Sequence, residues 1–166
     1  MPPPSRSPAA LAALAFDTDM GFFDMEMLQA VTQDRGEGEQ SVLAVVDEVK
    51  KRGAHIDLNK PADTVGNTPL IFAAHQGHAT AAAALLAVTG DKHVVAVEPN
   101  LMDKYGNTAL IVAACKGHRD TVCALVDAVG EDGRHHVDLN VPEKDGDTAL
   151  IVAAGNGRSK SHLSNR

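Results

Sequence analysis

Gly66-Asn67-Thr68-Pro69-Leu70-Ile71-Phe72-Ala73-Ala74 recurs as Gly106-Asn107-Thr108-Ala109-Leu110-Ile111-Val112-Ala113-Ala114 and again as Gly146-Asp147-Thr148-Ala149-Leu150-Ile151-Val152-Ala153-Ala154, a period of 40 residues. Self-similarity at a fixed period of tens of residues marks a stacked-repeat architecture, in which each unit is one supersecondary element too small to bury its own apolar face. The core of such a chain forms between neighbouring units, so stability depends on how many units stack. Such an architecture directs the functional reading towards recognition.

Each copy has the same internal grammar. In the first, Thr68 follows a glycine turn as a helix cap, and Pro69 takes the first helical turn, where its missing N–H costs nothing. The pattern predicts a short helix from there to a break at Gly77-His78. A second, antiparallel helix then covers Ala79 to Val88, anchored by Leu85 and Leu86 and ended by Gly90. The next copy predicts a helix from Thr108, a break at Gly117-His118, and a helix from Arg119 to about Val129 that stops at Gly130. Between copies, Val94 to Asn100 and Val137 to Asn140 are short extended pieces. They lead into turns at Asp103-Lys104-Tyr105-Gly106 and Glu143-Lys144-Asp145-Gly146, expected to project as hairpin-like arms.

Upstream, residues 24–33 and 41–51 carry helical periodicity, and Ile56-Asp57-Leu58-Asn59 matches Val137-Asp138-Leu139-Asn140. Residues 24–59 therefore read as a divergent first unit, a terminal cap whose polar face carries Glu48, Lys50, Lys51 and Arg52. Residues 1–23 are expected to be a disordered arm: Pro2 to Pro4 and Asp17 and Asp19 spoil any likeness to a signal peptide. At the other end, Gly155 to Arg166 holds Leu163 as its single large apolar residue, which predicts no second helix. The repeat domain is thus expected over 24–157, with units from about 63 and 103 and a truncated unit from about 143, followed by a disordered tail at 158–166. The truncated unit would leave an apolar face uncovered.

Composition narrows the partner. Twenty-two acidic residues against 15 basic give a net charge of −7 without a basic stripe, so no nucleic-acid partner is expected. Aromatic content of 3%, with no Trp and one Tyr, supplies few stacking platforms. No apolar run approaches the ~20 residues that span a bilayer, so no membrane partner is expected either. Cys115 and Cys123 read as unpaired thiols of a reducing compartment, the cytoplasm first and the nucleus second.

The order of glycine turn, Thr-Pro-Leu, Ala-Ala, Gly-His, a second helix with paired leucines and an Asp-Leu-Asn run resembles the ankyrin repeat, over about residues 24–157. The resemblance implies an all-α ankyrin-repeat solenoid of stacked helix-turn-helix units with hairpin-like loops. It implies a non-catalytic interaction module or adaptor, which binds a protein partner through a concave surface of turn tips and first-helix inner faces. The positions the resemblance assigns to partner contact are Thr64, Val65, Asn67, His75 and Gln76; then Lys104, Tyr105, Asn107, Cys115 and Lys116; then Lys144, Asp145, Asp147 and Asn156. Tyr105 is the expected anchor, because an exposed tyrosine on a turn tip offers large area with a polar handle. The resemblance also raises hydroxylation of Asn100 or Asn140. The cut-off third copy raises an alternative, in which this is a fragment or targeting region of a larger ankyrin-containing enzyme or channel.

Three departures from the family pattern bear on packing. Ile71, Ile111 and Ile151 stand where the motif usually has His, which predicts apolar packing between units in place of a hydrogen-bonding group. Ala109 and Ala149 replace the motif's proline, which alanine's helix propensity tolerates. The period exceeds the usual ~33 residues, and the excess falls in Thr89 to Val95 and Val129 to His136, where loop length is thermodynamically cheap.

Chemistry finds little support in the residue pattern. His78 and His118 fall on the Gly-His position, where the resemblance implies a structural role, and the adjacent His135-His136 pair is poorly arranged to turn both rings to one ion. His75 and Cys115 occupy equivalent positions beside Lys116, yet no base accompanies the thiol. Gly36-Glu37-Gly38 and Gly130 to Gly133 lack the flanking elements of a phosphate cradle. No catalytic residue, metal, cofactor or small-molecule substrate is therefore expected.

Overall fold

A computed structural model describes residues 47, 51, 56–61, 63–88, 90, 94–128 and 137–163. The expected arm at 1–23, the helix at 24–33, most of the cap over 24–59 and the loop holding Gly130 and His135-His136 lie outside the described residues; Asp47 and Lys51, from the expected helix at 41–51, are both helical.

In chain order the described elements are β1 (Ile56–Asp57), α1 (Pro69–Gln76), α2 (Ala79–Leu86), β2 (Val94–Val95), α3 (Ala109–Lys116), α4 (Arg119–Val126) and α5 (Ala149–Leu163). Helix α1 starts because the Thr68 hydroxyl accepts the Ile71 N–H at 3.3 Å while Pro69 supplies a preset φ, and α3 starts in the same way on Thr108 and Ile111 at 3.4 Å. Both end in a left-handed glycine. Gly77 donates to the Ala74 carbonyl at 3.3 Å and His78 to the Ala73 carbonyl at 3.0 Å; Gly117 and His118 repeat the pair on Ala114 and Ala113. This is the Schellman arrangement, which satisfies the last carbonyls and turns the chain back into α2 and α4.

Three helix ends differ from the sequence expectation. Helix α2 stops at Leu86, capped by Ala87 in right-handed geometry, instead of reaching Val88 and Gly90; the Val88 side chain nevertheless joins the core at 8% exposure. Helix α4 likewise stops at Val126, before Val129. Helix α5 departs further, running on through Gly155 and Gly157 to Leu163, where the repeat domain was expected to end at 157 with a disordered tail after it. The glycine turn at Gly77 and Gly117 is rewarded by a second helix that packs back, and the polar sequence after Gly157 offers no apolar face to pack, so the helical ladder simply continues.

Helices stack unit on unit: α1 against α3, α3 against α5, and α2 against α4. The core between them is Leu70, Ile71, Leu85, Leu110, Ile111 and Leu125, with Ala73, Ala74, Ala81, Ala82 and Ala113 letting the backbones approach. Ile71 and Ile111 are 1% and 2% exposed, so the isoleucines in the motif's histidine position do pack as core. Thr121 stands where the first unit has Ala81; its buried hydroxyl has no partner, an arrangement that costs ~1–3 kcal/mol.

The connecting segments also stack. β1 pairs in parallel with β2, Ile56 opposite Val94 and Asp57 opposite Val95. The Asn59 amide donates to the Ala96 carbonyl at 2.8 Å and accepts the Glu98 N–H at 2.7 Å, and Asn100 accepts the Asp138 N–H at 2.7 Å. The tips are hairpin-like as expected, closed by Asp103 N–H to the Asn107 carbonyl at 3.0 Å and Glu143 N–H to the Asp147 carbonyl at 2.9 Å.

Candidate protein-interaction surface

Each of the first two tips is held by one aspartate. Asp63 accepts the N–H groups of Val65 and Asn67 at 2.9 Å each and the Asn67 amide at 2.7 Å. Asp103 does the same for Tyr105 at 2.8 Å, Asn107 at 2.9 Å and the Asn107 amide at 3.1 Å. Burial works against the charge on Asp63, but the hydrogen bonds from Asn67, Val65 and Gly66 outweigh it and hold the carboxyl below its usual 3.8. The third tip has Glu143 and Asp147 at these positions and lacks the clamp.

The tips lie side by side. Lys104 donates its N–H to the Val65 carbonyl at 2.9 Å, and the Lys144 ammonium reaches the Lys104 carbonyl. Gly66 supplies the left-handed turn of this tip at φ +89°, and a Cβ there would only touch the Lys104 nitrogen at an ordinary 3.4 Å. The Lys104 ammonium in turn rests over the Tyr105 ring, 5.1 Å from its centroid, within cation–π range.

Between these tips and the first helices is a hollow of about 320 Å³. Its tip side is formed by Val65, Asn67, Asp103, Tyr105 and Asn107, and its helix side by His75, Val112, Cys115 and Lys116. Seven of the positions assigned by resemblance therefore converge: Val65, Asn67, His75, Tyr105, Asn107, Cys115 and Lys116. Tyr105 is 56% exposed, and Thr64, Gln76 and Lys104 are exposed nearby. Lys144, Asp145 and Asp147 are exposed on the third tip, outside the hollow, and Asn156 is half-buried, its amide donating to the carbonyls of Ala114 at 3.2 Å and Cys115 at 2.7 Å. The amides of Asn67 and Asn107 line the hollow but are already engaged by the aspartates.

Asp103 and Val112 are lining residues that the sequence reading did not assign. Val112 could have been found from helical spacing, because it stands three and four residues before Cys115 and Lys116 and so shares their face. His75 is exposed; burial first, then the positive charges of Lys116 and His118, keep its imidazole below the usual 6.5. The His118 ring lies within 3.2 Å of the His75 carbonyl, which supports the structural reading of the Gly-His position. Cys115 and Cys123 are free and exposed. Among the described residues no three His, Cys, Asp or Glu side chains come together as a metal site, and no helix is long and apolar enough to cross a membrane.

Stacked helix pairs with projecting tips and a Thr-capped, Gly-ended first helix define a stacked-repeat protein, a class generally used for protein–protein interaction. The chain belongs to the ankyrin-repeat family: residues 39–136 match the family described as ankyrin repeats, in three copies. The fold is similar to the crystal structure of the ankyrin repeat domain of Bcl-3, a member of the IkappaB protein family, with a TM-score of 0.61 at 23% identity over 79% of this chain and 50% of that one. At that identity the likeness shows the fold alone, and the present chain spans half the length of the Bcl-3 domain. Among curated proteins no sequence match was found.

Proposed function

We propose that this protein is a non-catalytic interaction module or adaptor, which binds a segment of a protein partner across the concave face formed by its turn tips and the inner sides of α1 and α3. The observation that carries this reading is the hollow between two rigidly clamped tips, with the exposed Tyr105 ring as one wall. Tip and helix positions supply varied side chains there while the core positions behind them stay constant, so the surface can be specialised without disturbing the stack. Two exposed, unpaired thiols suit a reducing compartment, which favours the cytoplasm or the nucleus as its place of action.

The test is affinity capture from a source-cell lysate with the wild-type chain and with Tyr105→Ala in parallel, each with a thermal melt. Partners retained by the wild type should be depleted at least about tenfold on the variant, the size of a hot-spot loss of ~1.4 kcal/mol or more. The melting temperature should stay nearly unchanged, because the ring is largely exposed. A large fall in melting temperature would instead make Tyr105 a packing residue.

One observation favours a second reading, that of a fragment or targeting region of a larger ankyrin-containing enzyme or channel. On α5, Leu150 is 77% and Ile151 51% exposed, whereas Leu70, Leu110, Ile71 and Ile111 at the same positions are between 1% and 4% exposed. That face has the composition of a unit interface. A transcript reading through Gly157 into another Gly-His helix would support this reading, and a monomeric, cooperatively folding 166-residue chain would count against it.

A further inference from the structure

Charge at the hollow is unevenly spent. Its one lining carboxylate, Asp103, keeps its charge but has its oxygens turned into its own tip, where they accept two backbone N–H groups and one amide and are not offered to a ligand. Lys116, on the helix side, is exposed and has no carboxylate partner among the described residues. Lys104, on the rim, is held over the Tyr105 ring by a contact that leaves its full charge at the mouth. Asp145 and Asp147 belong to the third tip and do not line the hollow. One ammonium on the helix side and one over the Tyr105 ring on the tip side thus flank an apolar lining of Val65, Val112 and the Tyr105 ring, in a chain whose net charge is −7.

We infer that the hollow receives one large apolar side chain of an acidic peptide segment, with carboxylates on either side of that residue pairing with Lys104 and Lys116. The inference rests on the concave-face reading above and names the chemistry of the partner. An apolar anchor follows from the Val65, Val112 and Tyr105 lining, and a volume of about 320 Å³, near the lower end of the ~300–1,000 Å³ range of ligand pockets, suits a side chain better than a bulky cofactor. Carboxylates follow from the two lysines: a basic segment would set like charges against them, which is how an interface rejects wrong partners. Lysine ammoniums at a rim act mainly on encounter rate and are screened by salt, so binding of such a segment is ionic-strength dependent.

The experiment pans a random-peptide phage library on the immobilised full chain. Enriched sequences are then measured as fluorescein-labelled synthetic peptides by polarisation. The proteins compared are wild type, Tyr105→Ala, the charge reversal Lys104→Glu/Lys116→Glu, and Lys104→Gln/Lys116→Gln as a milder version should the reversal fail to fold. The inference expects enrichment of Asp- and Glu-rich sequences around a Leu, Phe or Met, with Kd raised about tenfold or more by the reversal and severalfold between about 50 and 200 mM salt. Circular dichroism melts should be unchanged, since both lysines are exposed. Enriched neutral or basic peptides that depend on Tyr105 would overturn the inference and leave the concave-face reading standing. An empty selection, or peptides indifferent to Tyr105 and to both lysines, would overturn the two together.

Discussion

Gly77 has φ +79°, and a Cβ built on it would lie 2.8 Å from Nδ1 of His118, the ring that reaches across to the His75 carbonyl. One position therefore ends a helix and admits the neighbouring unit's histidine. Gly146 has a similar φ of +90° but nothing within 4 Å of its missing Cβ. Gly146→Ala should cost only the left-handed backbone penalty, ~1–2 kcal/mol, whereas Gly77→Ala should cost that and the displacement of His118 as well. Urea unfolding of the two variants checks the order, and equal losses would remove the contact from the account. The turn at Gly77 was legible in the sequence, because only glycine adopts that conformation freely. Its closeness to His118 was not, since the two are brought together by stacking. Asn156 makes the same point: read as a partner contact, it reaches across to carbonyls of α3.

Among the elements, α1 and α3 start and stop where their residues dictate, since Thr caps and left-handed glycines are local devices. The turn tips are equally local. Asp63 draws its hydrogen bonds from residues two to four positions ahead, and these hold its carboxyl below 3.8 in the folded chain. A carboxyl whose folded value is depressed contributes stability that is fully present above its unfolded value and is lost as pH falls through the folded one. The melting temperature should therefore fall as the pH drops below 3.8, with a smaller drop in Asp63→Asn than in the wild type, the variant starting lower at neutral pH. An identical drop in both would show that the clamp adds nothing to folding. Helix α5 lies at the other extreme. The same Ala-Leu-Ile-Val-Ala-Ala run opens it, yet it continues for 15 residues in place of the 8 of α1 and α3. Gly157 stands where Gly77 and Gly117 end α1 and α3, but among the described residues no second helix packs back beside it, so the left-handed turn is not taken and the helical ladder runs on.

Across the whole molecule, burial depends on having a neighbour. Leu110 and Leu150 occupy the same place in successive copies of one motif, at 4% and 77% exposure. Leu110→Ala should cost ~2–5 kcal/mol and Leu150→Ala less than ~1 kcal/mol in this chain, as chemical denaturation of the two variants will show. Comparable losses would mean that the face of α5 is covered in solution. The sequence by itself determined the family, the repeat register, the helix caps and the projecting tips, because those follow from residues within a few positions of one another. It also named most of the residues that meet at the hollow, through their place in the repeat. Only the tertiary structure decided that Val112 and Asp103 complete the hollow, that Asn156 reaches the carbonyls of α3, and that one copy of the motif is core while another is surface. Those outcomes depend on what lies beside each unit in space, and a periodic sequence, which reads alike at every copy, cannot encode that locally.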